Sequence, residues 1–220
     1  PVPDDMITFI REALDYAQPD LVVFCGDNIN NPDDRSYDEV LAPLIYRGIP
    51  FTGVLGNHDE ESSGGKTRDE LIAKYQEYDG CLWYDADPSL HGAGTHNLPI
   101  LSSDGSKVAF NLWMFDSNMY DEENGGYDYV HQDQIDWYVQ KSNELKAQNG
   151  GEAVPSMMFQ HIIVNEIYDA LLKQYADKDD PETLKNLNML CVRLVFCLYA
   201  EDSGIFGGHL KFHNYVGSFA

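Results

Sequence analysis

At 220 residues the chain is long enough to bury a full core, and its length suits one compact α/β unit better than two domains. Its 37 acidic and 14 basic residues leave a formal charge of -23, a surface that repels polyanions and argues against a nucleic-acid polymer or an anionic membrane as partner. The acidity serves equally as a solubility device, and a small phosphorylated ligand would need local positive charge, for which bound metal cations are a natural source.

In chain order, Asp4 to Gln18 carries Met6, Phe9, Ile10, Ala13, Leu14 and Ala17 at helical spacing, with Asp4 or Asp5 placed to cap. The apolar run Leu21 to Cys25 predicts a buried parallel strand that stops at Gly26 and presents Asp27. Ser36 to Gly48 places Val40, Leu41, Leu44 and Ile45 on one face and ends on glycine, as expected of a crossover helix. It leads into a second strand, Phe51 to Leu55, which stops at Gly56 and delivers Asn57, His58 and Asp59. The spacing is that of one βαβ unit, so both strand ends should open on the same crevice.

Thr67 and Glu70 form a capping box for a helix containing Leu71, Ile72 and Tyr75. Val108 to Phe115 reads as a central strand, Gln132 to Leu145 as a helix, and Ser156 to Gln160 as a short strand closed by His161. Met189 to Tyr199 is expected to be helical and Tyr215 to Phe219 to be a last strand. Gly80 to Asn97 and Met119 to Asp128 carry no clear period, and long loops on a rigid sheet often shape substrate access. No repeat or linker interrupts the chain, so residues 1–220 are expected to form a single domain.

Cys25, Cys81, Cys191 and Cys197 lack C-x-x-C spacing and the density of a disulfide scaffold, and most are expected as buried thiols. No apolar run reaches the roughly 18 residues needed to span a bilayer, and no charged start followed by an apolar stretch marks a signal peptide. Pro1 is a poor native start, which leaves room for an upstream segment. Oligomeric state is not legible.

Four apolar segments thus end in groups that can bind a metal: the Asp27 carboxylate, the Asn57 amide oxygen, and the His161 and His209 imidazoles. Singly, each has a plain alternative as a turn residue or a polar strand cap. Together, in an alternating α/β pattern, they point to a shared site with a mixed oxygen and nitrogen set suited to Zn, Mn or Fe rather than Ca.

Gly26-Asp27, Gly56-Asn57-His58-Asp59, the His161 that closes MMFQH, and Gly208-His209 resemble, in order, the motifs of calcineurin-like metallophosphoesterases. GDNIN, GNHDEES, GGYDYVHQDQIDWY and QHIIVNEIY are most similar to the branch akin to purple acid phosphatases. The resemblance implies an α/β fold of two packed mixed sheets flanked by helices, an αββα sandwich, with two divalent or mixed-valence metals (Fe, Zn or Mn) at the strand ends. It implies hydrolysis of a small phosphomonoester or phosphodiester by a metal-bound hydroxide. Asp27 would bridge the metals, Asn57, His161 and His209 would complete the second metal's shell, and His58, oriented by Asp59, would stabilise or protonate the leaving oxygen. Such relatives are often exported.

The chain also departs from that pattern. The family opens with a strand ending in Asp-x-His, two ligands of the first metal, and nothing of the kind precedes Asp4. The family closes on Gly-His-x-His, whereas here Lys211 follows Gly208-His209-Leu210, and His213 can serve as a ligand only if the loop bulges. Ile163 and Asn165 stand where the nearest relatives tend to carry prolines. Three explanations compete: a domain whose first strand lies upstream of Pro1, a variant with a single metal, or a degenerate, non-catalytic phosphate-binding or interaction module. The remaining histidines, His91, His96 and His131, are expected as loop or packing residues, and Tyr120, Tyr127 and Tyr129 as a packed cluster, with substrate stacking as the alternative.

Overall fold

The computed structural model of the chain describes residues 2–29 and 33–164. The chain divides between Ile163 and Val164 into two compact units, and the architecture below is that of the first. The predicted helix at 189–199, the predicted strand at 215–219, and Cys191, Cys197, His209, Lys211 and His213 lie outside the described residues.

Helix α1 (Asp4–Ala17) leads into strand β1 (Val22–Cys25), helix α2 (Asp34–Arg47) and strand β2 (Phe51–Val54). The strands pair in parallel with Val22 opposite Phe51 and Cys25 opposite Val54, as a right-spaced βαβ crossover requires. Asp33 caps α2 by accepting from the Arg35 N–H, and Gly48 closes it in the left-handed region at φ 65°. Pro3, not Asp4 or Asp5, occupies the N-cap of α1, and the two acids lie in its first turn, where they still complement the helix dipole. Helix α3 (Asn57–Glu61) is a short turn that pattern reading missed, and α4 (Arg68–Gln76) begins at the expected Thr67/Glu70 capping box.

The second sheet orders β3 (His96–Leu101), β4 (Val108–Met114) and β5 (Ser156–Phe159), with β3 antiparallel and β5 parallel to the central β4. Helix α5 (Gln132–Gln148) runs three residues beyond the expected end at Leu145. Strand periodicity sorts the layers. On β4, Leu112 and Met114 join Val54 of β2 between the sheets, while Trp113 and Phe115 face Leu145, Trp137 and Tyr138 of α5. On β2, Phe51 and Leu55 enter the cluster formed with α1, α2 and α4, and Thr52 turns to the other sheet and meets His96. The result is the expected helix–sheet–sheet–helix order. Each fully buried large apolar side chain in these clusters contributes roughly 1.5–3 kcal/mol.

Two expectations are corrected. β1 is only half-buried, because among the described residues it pairs on one side only, and Cys25 at its end is exposed rather than buried. His96, expected in a surface loop, is fully buried at the start of β3, where Thr52 and the Gly94 carbonyl take both ring nitrogens.

Candidate functional site

The ends of β1 and β2 do open on one rim. Gly26 turns the chain in the left-handed region at φ 90°, and Asp27 follows at φ 50°, an uncommon conformation for a residue with a side chain. This turn swings the Asp27 carboxylate across to the β2 end, where Oδ1 accepts from the His58 N–H at 3.0 Å. Both motif glycines are required by close approach. A Cβ on Gly26 would strike the His161 ring, and one on Gly56 would strike Asp27 Oδ1.

His161, just beyond β5, reaches the same rim. Its Nδ1 bonds the Cys25 carbonyl at 2.9 Å, and its Nε2 lies 3.3 Å from Asp27 Oδ2. The Ser117 hydroxyl at the end of β4 secures this segment by accepting from the Ile162 N–H at 2.8 Å. A carbonyl only accepts, so Nδ1 carries the proton and Nε2 turns a lone pair toward a carboxylate. Two acceptors facing one another are reconciled by a cation held by both or by protonation of the ring. A histidine that donates one nitrogen to a backbone carbonyl and frees the other is the usual posture of a metal ligand. The donors therefore fit a transition metal. Among the described residues no group of three or more His, Cys, Asp or Glu could hold a metal ion; Asp27 and His161 meet, and Asn57 is buried at the end of β2.

Asn57 and His58 stand in the first turn of α3. The Asn57 Nδ2 donates to the Tyr120 hydroxyl at 2.8 Å, and His58 Nδ1 meets Glu61 Oε2 at 2.5 Å. Glu61 holds the His58 pKa above its ordinary value, and bonds from Tyr120 and then His58 hold Glu61 below its own.

Asp59 does not orient His58 by contact, as had been expected. Its Oδ2 accepts from the Gly56 N–H at 2.7 Å and its Oδ1 from the Asn28 and Ile29 N–H groups at 2.9 and 3.3 Å, tying the two strand-end turns together. Burial pushes its pKa up despite those donors. Its influence on His58 is that of a nearby charge. Motif reading missed Glu61 and Tyr120. The three-residue spacing of His58 and Glu61 on one helical turn was an available signal; nothing in the sequence placed Tyr120 there.

Behind the rim, Arg68 donates to both Asp116 oxygens, at 2.8 and 2.5 Å, and to the Gly56 carbonyl at 3.0 Å. The strand-end turn of β2 is thereby fixed to the end of β4. Farther away, His91 and His131 stack at 4.0 Å, each paired with an aspartate, Asp133 and Asp128 respectively. Tyr129 stacks on His131 and Tyr120 on Tyr127, but all three tyrosines remain exposed. No described helix is long and apolar enough to cross a membrane.

The calcineurin-like phosphoesterase model matches residues 3–182, and that of the MmeI helicase spacer domain matches residues 185–220. The chain is 29% identical over 182 residues to "Probable inactive purple acid phosphatase 14" of Arabidopsis thaliana, covering 72% of this chain and 45% of that protein. It is 30% identical over 161 residues to "Probable inactive purple acid phosphatase 29" of the same plant, 67% of this chain and 41% of that one. Phosphatase DCR2 of Saccharomyces cerevisiae is 30% identical over 190 residues, 79% of this chain and 32% of that protein. The chain thus spans less than half the length of these three curated relatives. No solved structure matches. Family match, relatives and the strand-end geometry agree that the chain belongs to the calcineurin-like phosphoesterases, near their purple acid phosphatase branch.

Proposed function

We propose that the chain hydrolyses phosphoesters of small molecules, with metal help, at the rim where β1, β2 and β5 end. The observation that carries this reading is the meeting of three separate segments on Asp27, whose Oδ1 accepts from His58 N–H and whose Oδ2 faces His161 Nε2. Asp27, Asn57 and His161 would hold metal, whereas His209 and His213 lie outside the described residues. Bound divalent or mixed-valence metals supply Lewis-acid charge for the phosphoryl oxygens and lower the pKa of water.

The chain's own residues do the rest. The Cys25 carbonyl and the Ser117 hydroxyl hold the His161 segment, and Asp59 locks both strand-end turns against each other. His58 is exposed, and with Nδ1 held by Glu61 the protonated ring would present its Nε2–H to the departing oxygen. The acidic surface disfavours polyanions, consistent with a small substrate.

The test is metal content and turnover together. Protein stripped and reconstituted with Mn, Zn or Fe should retain metal and hydrolyse an aryl phosphate, and Asp27→Ala should lose both. Metal retention without hydrolysis would favour the non-catalytic phosphate-binding module. Turnover unchanged in Asp27→Ala and His58→Ala would remove the assigned roles.

A further inference from the structure

We propose that the hairpin of residues 119–128 reads the organic half of the substrate: the stacked rings of Tyr120 and Tyr127 receive a flat aromatic group whose phosphate lies at the rim. This rests on the phosphoester-hydrolysis reading and names the substrate class for it.

The hairpin is closed on itself. Tyr120 and Tyr127 face one another across an antiparallel bridge, the Asp128 N–H donates to the Met119 carbonyl, and the Asp121 N–H donates to the Gly126 carbonyl. Inside the turn, Asp121 Oδ1 accepts from the Glu123 and Asn124 N–H groups, both at 2.9 Å, and Gly125 and Gly126 take the left-handed backbone at φ 76° and 90°. The root is fixed as well. The Asn118 N–H donates to the buried Asp116 carboxylate, and Asn118 Nδ2 donates to the Tyr129 carbonyl. On the other side the hairpin touches the rim, where the Tyr120 hydroxyl meets the Asn57 side-chain amide at 2.8 Å. Asn57 immediately precedes the His58 N–H that holds Asp27.

The two rings do not serve the core. Their centroids lie 5.9 Å apart and their planes 20° from parallel, so each covers part of one face of the other. Yet Tyr120 is 41% and Tyr127 61% exposed, and neither joins an apolar cluster among the described residues. Exposure that large leaves the outer face of Tyr127 open. A single exposed tyrosine needs no explanation. A pair already stacked on a closed turn and tethered to the rim loses little freedom when a third ring is added, which favours stacking of a flat ligand. The tip carries exposed Glu122 and Glu123, whose charge disfavours additional phosphates. The ligand that fits is a monophosphate of a flat, uncharged group, an aryl or a nucleoside ester.

Phosphonates read this platform without turnover. On Mn2+-reconstituted protein, phenylphosphonate should bind roughly tenfold tighter than cyclohexylphosphonate, which is similarly apolar but not flat, a gain within the range of base stacking on aromatic side chains. Tyr127→Ala should abolish the difference. Tyr127→Phe should keep it, because stacking needs the ring and not the hydroxyl. A second pair, the methylene-phosphonate analogues of adenosine 5′-monophosphate and ribose 5-phosphate, assigns the source: a preference in the first pair alone marks an aryl ester, and a larger one in the second pair a nucleoside ester. Equal affinities within both pairs in the wild type would overturn the proposal, as would a preference that survives Tyr127→Ala. If the wild type shows the preference but hydrolyses no phosphoester, the hydrolase reading fails and the platform stands; hydrolysis without the preference does the reverse. Binding of none of the four ligands overturns both.

Discussion

The seam between the two sheets and the rim above it use the same polar residue types to opposite ends. In the seam, His96 spends both ring nitrogens on Thr52 and the Gly94 carbonyl, and Asp116 is filled by Arg68 and backbone N–H groups. Both side chains are closed off, as burial demands. At the rim, His58 and His161 each spend Nδ1 on the protein, to Glu61 and to the Cys25 carbonyl, while His161 turns Nε2 to Asp27 and His58, among the described residues, leaves Nε2 uncommitted. Half-satisfied groups are tolerable only where water or a ligand can complete them. The contrast teaches that the seam is closed for stability while the rim keeps donors and acceptors in reserve.

Substitutions can break that contrast, and the largest effect is expected in the seam. Arg68→Ala should cost about 3–5 kcal/mol in urea unfolding, because it strands the buried Asp116 carboxylate and frees the Gly56 carbonyl. An equally large loss from His58→Ala, which is exposed, would erase the distinction.

Next comes the pH dependence of His96. Burial drives its pKa from the ordinary 6.5 down to about 4, partly offset by the bond to the Gly94 carbonyl. Between those values the unfolded chain binds the proton and the folded one does not, so this stability is full above about pH 6.5 and is lost as pH falls toward 4. The contribution is on the order of 3 kcal/mol. Unfolding at a series of pH values should show a shallower acid loss in His96→Gln than in the wild type.

The smallest expected effect is outside both regions. Thr67→Ala removes half of the α4 capping box, where the threonine hydroxyl accepts from the Glu70 N–H, and should cost about 1 kcal/mol without touching turnover. A change in kcat there would mean that α4, which carries Arg68, transmits strain to the rim.

Much of this was legible from one dimension. The alternating runs at β1, α2 and β2 announced a βαβ unit, and the glycines before Asp27 and Asn57 announced turns at its carboxyl end. Strand β3 was not legible, since HNLPIL contains a proline and two polar residues and borders a glycine-rich loop. Its burial comes from pairing with β4 and from the His96 bond to Thr52, contacts that local pattern does not encode. The half-exposure of β1 was likewise invisible, because an apolar run reads the same whether one or two neighbours flank it.

By itself, then, the sequence determined the elements and the chemical types at their ends, because hydrophobic period and turn residues act over a few positions. Only the tertiary structure decided which of those groups meet. Asp59 was adjacent to His58 and turned to the backbone; Glu61 took the imidazole, and Tyr120, remote in sequence, met the Asn57 amide. Helical rotation and loop packing set such partnerships, since a side chain's direction depends on the geometry of its turn and not on its distance along the chain.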